Sequence, residues 1–195
     1  MTRCIALVLA LTLGACATPP LEPNYYLLRS DATITSGALE PSREFALGQI
    51  SIAPYIDQPG LLLETAPGEV RAARYHLWAE PVRDGIETFL RQEISRRTGE
   101  NLLPSNRDPG RTTINVRIDQ MHGTLDGQAR LVAYWWLSSS GVMTSANRFA
   151  ESLPLDTPGY AALASAEKAL LARFAASIGD SMATGAEPDA ATDNP

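Results

Sequence analysis

The segment TTINVRIDQM, from Thr112 to Met121, has the clearest β-strand pattern in the chain. Side chains alternate strictly along it, and the apolar residues Ile114, Val116 and Ile118 occupy every second position between polar ones. Because a β-strand sends successive side chains to opposite faces of its sheet, this alternation predicts a strand with one buried face and one face turned away from the core.

Two further strands are predicted directly after it. The turn signal Asp126-Gly127 precedes the almost wholly apolar run Ala129–Leu137, and a Ser-Gly turn at Ser138–Gly141 precedes Val142–Glu151. Asp-Gly and Ser-Gly pairs between β-prone runs are typical of tight hairpin turns. The region therefore predicts an antiparallel meander of three strands.

Shorter strands are predicted upstream of the meander. Tyr25–Leu28 is rich in β-formers, and Phe45–Ala53 alternates with an irregularity at Gly48. Leu61–Thr65 and Glu69–Leu77 are separated by Ala-Pro-Gly, which predicts a hairpin.

Two amphipathic helices complete the predicted fold. The first spans about Glu80–Arg97, with Pro81 in its first turn and Gly99 as its stop. The second begins with Thr157 as N-cap and Pro158 at its first position. Apolar residues recur along both with the helical period. We expect an α/β protein of the α+β kind: a two-layer sandwich with a mixed or mostly antiparallel sheet and two long helices.

The beginning of the chain predicts export and lipidation. Arg3 precedes an apolar run that is too short to span a membrane, and small residues follow it, as in a secretory signal peptide. Leu13-Gly14-Ala15-Cys16 resembles the bacterial lipobox, in which the cysteine carries fatty acyl groups such as palmitate and the chain is cut just before it. An ordinary secreted protein with a chance cysteine is the alternative.

These signals predict four parts of the chain. Residues 1–15 form the signal peptide, 16–24 the lipidated cysteine and a proline-rich tether, 25–183 the domain, and 184–195 a disordered tail. Ala17 follows Cys16 where an aspartate favours inner-membrane retention, so we expect the periplasmic face of the outer membrane, with the inner membrane as the alternative.

The composition of the chain limits the classes of binding partner that can be expected. The chain has 16 basic and 22 acidic residues and a net charge of −6, with no block of like charges, which argues against nucleic acid. The two cysteines, Cys4 and Cys16, both lie at the leader, so the domain has no disulfide or cysteine-based metal site. The expected link to the membrane is the acyl anchor.

A search for catalytic chemistry finds little. The two histidines, His76 and His122, lack the spacing of metal ligands, and no cofactor is expected. The serines before Gly141 lack a Gly-x-Ser-x-Gly turn, and Glu151 and Asp156 do not form a paired-carboxylate signal. We expect a protein that is not an enzyme.

Large aromatic residues are the better candidates for function. In Tyr134-Trp135-Trp136, strand alternation sends the two tryptophans to opposite faces, so Trp136 lies either in a contact surface or under a second layer. Tyr55 lies in the proline-bracketed segment Pro54–Pro59 and is either a core residue or a contact residue. Tyr55 and Trp136 are the predicted partner-binding residues.

Four segments carry a resemblance to a known family. Tyr25-Tyr26-Leu27-Leu28, Pro54–Pro59, Trp78-Ala79-Glu80-Pro81-Val82 and Gly159–Leu163 follow one another after the lipobox. In this order they resemble the auxiliary lipoproteins of ABC-type transport systems, the PqiC family. Two departures are conservative: Ile56 replaces a leucine, and Leu77 precedes Trp78 where the family often has arginine.

The resemblance implies a non-enzymatic accessory lipoprotein of a lipid-trafficking system that supports transport between the two membranes and envelope integrity. It implies a periplasmic MCE-domain protein and an inner-membrane ABC permease and ATPase as partners, with a homo-oligomer also open. The alternative is a lipoprotein chaperone or assembly factor of another cell-envelope machine.

Overall fold

A computed structural model describes residues 21–31, 40–104 and 111–185. The predicted signal peptide, Cys16 and most of the tether lie outside the described residues, as does the chain after 185. Within the described ranges, neither helix is long and apolar enough to cross a membrane.

Seven strands and two helices make up this part of the chain. The strands are β1 (Asn24–Tyr26), β2 (Phe45–Ile52), β3 (Gly60–Ala66), β4 (Glu69–Trp78), β5 (Thr112–Gly123), β6 (Gln128–Ser139) and β7 (Val142–Pro154). The helices are α1 (Val82–Thr98), between β4 and β5, and α2 (Tyr160–Gly185), after β7.

The strands form one mixed sheet in the order β1-β4-β3-β5-β6-β7. Strand β2 also pairs with β5, on the same edge as β3. The hairpin β3–β4 and the meander β5–β6–β7 are antiparallel, whereas β1–β4, β2–β5 and β3–β5 are parallel. The predicted meander, the predicted hairpin and the α+β class are therefore confirmed.

The predicted irregularity in β2 is a register shift. Leu47 pairs with Ile114 and Ile50 with Val116, so one additional residue of β2 is accommodated between them. A Cβ at Gly48 would lie 2.4 Å from Oδ1 of Asn115 and 3.2 Å from the carbonyl oxygen of Ile114, so a larger residue would displace the Asn115 side chain at this close approach of the two strands.

Helix α1 buries the face that its periodicity predicts. Val82, Ile86, Phe89, Leu90 and Ile94 are all buried. Pro81 is the N-cap residue, one position before the predicted first turn, and the backbone N–H of Gly99 donates to the carbonyl of Ser95 and ends the helix. A proline at this end is compatible with the helix because the first N–H groups have no intrahelical acceptor.

The predicted start of the second helix is wrong. Helix α2 begins at Tyr160, and Thr157 and Pro158 lie before it in a bend. Gly159 has φ +120°, which is not helical, and its carbonyl accepts the N–H of Leu163 as the first helical hydrogen bond. The Thr-Pro signal was overridden because the glycine redirects the backbone. The helix ends at Gly185.

Both helices pack on one face of the sheet and on each other. Trp135 in β6 is buried with the helices, and the ring of Phe149 in β7 lies 5.3 Å from that of Phe174 in α2. On the opposite face Tyr134 is exposed. The molecule is a two-layer sandwich, as the sequence predicts, and within the described part of the chain the other face of the sheet is open, an alternative that the sequence had left undecided.

Candidate functional site

The four sequence segments that carry the family resemblance meet at one end of the molecule. In the first, Tyr26 of β1 pairs with Trp78 at the end of β4, and its carbonyl accepts the N–H of Ala79 at 2.7 Å. The backbone N–H of Trp78 donates to the carbonyl of Pro59 at 2.7 Å, which joins the proline-bracketed segment to the same point. We call this meeting point the junction.

Charged side chains tie the junction to the start of helix α1. Arg29, just after β1, donates to both carboxylate oxygens of Glu80, and this hydrogen bonding lowers the pKa of Glu80. Asp57 of the proline-bracketed segment forms an ion pair with Arg83 in the first turn of α1. The helix start is therefore fixed from two sides.

An aromatic column connects the junction to helix α2. The hydroxyl of Tyr26 lies 2.9 Å from Nδ1 of His76, and the two rings are stacked 6.0 Å apart. Tyr160, the first residue of α2, also stacks on His76, with the two ring centroids 4.5 Å apart. His76 thus bridges β1, β4 and α2, and the fourth family segment reaches the junction through Tyr160.

Tyr55 is a half-buried residue of the loop between β2 and β3. Its hydroxyl donates to the carbonyl of Asp119 at 3.3 Å and lies 3.4 Å from Nδ1 of His122. Burial raises the pKa of Tyr55 and lowers that of His122. The neighbouring Ile56 is fully buried, so the core residue of this loop is Ile56, whereas Tyr55 keeps 37% of its surface exposed.

Trp136 is half-buried on the open face of the sheet. It stands in β6 between Asn115 of β5 and Ala146 of β7, whereas its neighbour Trp135 is buried under the helices with 3% of its surface exposed. A second layer does not cover Trp136 within the described part of the chain. Its remaining exposed surface is available for contact.

The two predicted partner-binding residues do not share one cluster. Trp136 pairs with Asn115, and Tyr55 contacts Asp119, which is four residues further along β5 and on its opposite edge. Four residues of strand span about 13 Å. Any partner that contacts both residues must therefore cover a broad surface. The predicted roles of Tyr55 and Trp136 in binding stay predictions.

The residues considered for catalysis or metal binding, His76, His122 and the serines before Gly141, have structural roles in this fold. His76 and His122 lie in different strands, each beside a tyrosine, and no group of three metal-binding side chains occurs among residues 21–31, 40–104 and 111–185. Ser140 and Gly141 both have positive φ angles, 50° and 78°, and form the tight turn between β6 and β7.

Helix α2 carries a buried carboxyl group that the sequence pattern alone did not single out. Glu167 has 1% of its surface exposed, and neither carboxyl oxygen has a hydrogen-bond partner among the described residues. Burial raises its pKa to about 8. The signal was present, because Glu167 lies three or four residues from Leu163, Ala164, Leu170 and Leu171 and so shares their helix face.

Comparison with known proteins defines the class of protein to which the chain belongs. The sequence model of the ABC-type transport auxiliary lipoprotein component matches residues 25–179. The chain belongs to this family of transport auxiliary lipoproteins, and the match includes all four segments of the junction. Membership places it among membrane-associated proteins of the cell envelope.

Curated relatives refine this assignment. The chain is 24% identical over 143 residues to the intermembrane transport lipoprotein PqiC of Escherichia coli (strain K12), covering 72% of this chain and 76% of that protein. The PqiC lipoprotein of Shigella flexneri matches with the same identity and coverage.

Solved structures share the fold. The crystal structure of an uncharacterized protein, 20% identical, superposes with a TM-score of 0.71 over 83% of this chain and 99% of the other. Protein XCC0632 from Xanthomonas campestris, 17% identical, gives a TM-score of 0.64 over 84% of this chain and 95% of the other.

Proposed function

We propose that this chain is a non-enzymatic accessory lipoprotein of an ABC-type lipid-trafficking system. Cys16 carries the acyl anchor after the signal peptide is removed, and the domain stands on the periplasmic face of the outer membrane. It works with a periplasmic MCE-domain protein and an inner-membrane permease and ATPase, supporting transport between the membranes and envelope integrity.

The observation that carries the proposal is the junction. Four segments that are far apart in sequence and that carry the family resemblance converge through Tyr26, Trp78, Pro59 and Tyr160. Family membership and the similarity to intermembrane transport lipoproteins support a shared role in transport. Both histidines lie beside tyrosines, His76 at this site and His122 at Tyr55, and membership of a family of transport auxiliary lipoproteins supports a binding role.

The proposed binding surface consists of Tyr55 and Trp136. Both aromatic side chains retain exposed surface while their neighbours Ile56 and Trp135 are buried in the core. Aromatic residues that become buried at an interface often contribute about 2 kcal/mol or more of binding free energy. The separation of the two residues fits a large partner, such as the MCE-domain protein, rather than a small ligand.

Affinity purification from detergent-solubilised envelopes tests the function. The wild-type protein is expected to retain an MCE-domain protein, identified by mass spectrometry, and Tyr55→Ala and Trp136→Ala are expected to weaken that retention. Val142→Ala is the matched control, since Val142 is 65% exposed at the far edge of the sheet. Retention of subunits of another envelope machine, without an MCE-domain protein, would favour the chaperone or assembly factor.

A further inference from the structure

Exposed apolar side chains gather where the domain begins. Tyr25 of β1 is 63% exposed, Leu27 directly after it is 53% exposed, and Tyr75 of β4 is 43% exposed. Tyr25 stands opposite Leu77, and Tyr75 lies two residues before Leu77 on the same strand, so the two tyrosines share one face of the sheet. We call Tyr25, Leu27 and Tyr75 the edge patch.

The edge patch is not a continuation of the core. Tyr26 and Trp78 point to the other face, where Trp78 is buried and Tyr26 contacts His76. Neither helix covers the face that carries Tyr25, because both pack on the opposite side of the sheet. The apolar surface is therefore exposed within the described part of the chain.

The length of chain before the patch indicates what covers it. Tyr25 lies nine residues after Cys16, and nine residues of fully extended chain reach about 30 Å. A domain of this size has a diameter of roughly 40 Å, calculated from its radius of gyration. A chain anchored at Cys16 can therefore bring the side of the domain that carries β1 to the bilayer, but cannot turn the far side toward it.

The chemistry of the patch fits a lipid surface. Tyrosine is enriched at the boundary between headgroups and acyl chains, because its ring is apolar and its hydroxyl remains hydrated. A leucine beside two tyrosines adds an aliphatic side chain that can enter the acyl region. The net charge of −6 offers no electrostatic attraction to anionic lipids, so contact depends on these side chains and on the anchor.

We propose that the edge patch contacts the surface of the membrane that holds the anchor and fixes the orientation of the domain on it. This inference rests on the proposed function, because the acyl chain on Cys16 brings the patch to the bilayer. Strand β7, at the other edge of the sheet, then lies on the side of the domain away from the lipid. The consequence is an oriented receptor for the transport partner rather than a freely rotating one.

The cysteine content of the chain allows a direct test. Cys4 leaves with the leader and the thiol of Cys16 is consumed by its lipid, so an introduced cysteine is the only free thiol of the acylated protein. Leu27→Cys, labelled with an environment-sensitive fluorophore, reports on the patch. Val142→Cys is the matched control, because Val142 is 65% exposed and β7 is five strand spacings, about 24 Å, from β1.

Both labelled, acylated proteins are reconstituted into vesicles of phosphatidylethanolamine and phosphatidylglycerol containing a lipid with a spin label near the headgroup. We expect a blue shift and loss of emission at position 27 and little change at position 142. Adding Tyr25→Ser and Tyr75→Ser should reduce the quenching at position 27, with circular dichroism confirming the fold.

Two adverse outcomes are distinguishable. If mass spectrometry confirms the acyl chain and positions 27 and 142 are quenched equally or not at all, the edge patch does not orient the domain, and the proposed function stands. If the mature protein carries no acyl chain on Cys16, both the anchor and the orientation are overturned.

Discussion

At the scale of single residues, Glu167 shows how one side chain can set the pH dependence of stability. Its carboxyl group is fully buried without a hydrogen-bond partner among the described residues, and its pKa is raised to about 8. Burying an ionised carboxylate without a hydrogen-bond or ion-pair partner has a large free-energy cost, so Glu167 stays protonated in the folded state.

The sign of the pH dependence follows from linkage. The unfolded chain releases this proton near pH 4.5, and the folded chain near pH 8. Between these values the folded state binds more protons, so the free energy of unfolding falls as pH rises and levels off above pH 8. At pH 7 the loss is about 3 kcal/mol, at 1.36 kcal/mol for each pH unit.

Glu167→Gln removes this titration while keeping the side-chain shape. We expect the variant to unfold with a free energy about 3 kcal/mol higher than wild type at pH 7, and the difference to shrink toward pH 5. Urea unfolding at pH 5, 6, 7 and 8 measures it. Glu100→Gln, at an exposed position, is the control and should follow the wild type. Parallel curves for Glu167→Gln and wild type would contradict the buried, protonated state.

Adjacent tryptophans on opposite faces provide a second prediction at this scale. Trp135→Ala removes a core side chain and should cost about 3–5 kcal/mol of folding free energy. Trp136→Ala removes a half-buried one and should cost much less, because part of its surface is already in contact with water. Thermal and urea unfolding of both variants measures the difference. Equal losses would make Trp136 a core residue and exclude it from the proposed binding surface.

At the scale of elements, side-chain alternation and helical periodicity predicted strands and helices correctly where a segment packs against one neighbour and buries one face. The strict alternation of β5 and the apolar face of α1 survive into the structure because burial on one side imposes them. The start of α2 could not be placed in this way. Thr157-Pro158 is a valid cap signal locally, and only the backbone angle at Gly159 decides against it.

A close approach in the β3–β4 hairpin gives a prediction for an element. A Cβ at Gly60 would lie 2.4 Å from the carbonyl oxygen of Ala73, a backbone atom that cannot move without disturbing β4. Gly60→Ala should therefore cost more stability than most surface substitutions, on the order of 2 kcal/mol or more. Gly68→Ala in the same hairpin has open space around it and should cost only about 1–2 kcal/mol of backbone strain at its φ of 76°.

Urea unfolding of the two variants separates these effects. Gly60→Ala is expected to unfold at lower urea concentration than Gly68→Ala, since a steric clash with backbone adds to any conformational cost. The reverse order would mean that the β3–β4 pairing relaxes at Gly60 and that the tight approach is not required for the hairpin.

At the scale of the whole molecule, sequence reasoning predicted the sandwich but not the junction. Each of the four family segments is short, and their order along the chain does not indicate that they meet. The contact of Tyr160 with His76, and of Pro59 with Trp78, depends on parallel pairing of β1 with β4 and on the path of α2. Such long-range pairings are set by the packing of the whole sheet.

Whole-molecule packing also explains why the sequence could predict the surroundings of Trp136 better than those of Tyr55. Strand alternation correctly placed the side chains of Trp136 and Trp135 on opposite faces of the sheet. It could not show that Tyr55 lies beside Asp119 and His122, because the loop between β2 and β3 has no periodicity to follow. The distance between Tyr55 and Trp136 could be obtained only from the register of β5 in the structure.

We propose that this domain is held at a membrane by a lipid on Cys16 and serves transport from there. Mass spectrometry of the mature N-terminus, combined with separation of inner and outer membranes, tests it most directly. The mature chain is expected to begin at an acylated Cys16 and to sediment with the outer membrane, and the Cys16→Ser variant is expected to be neither acylated nor membrane-bound. A wild-type chain with an unmodified Cys16, or one that begins at another residue without a lipid, would contradict it.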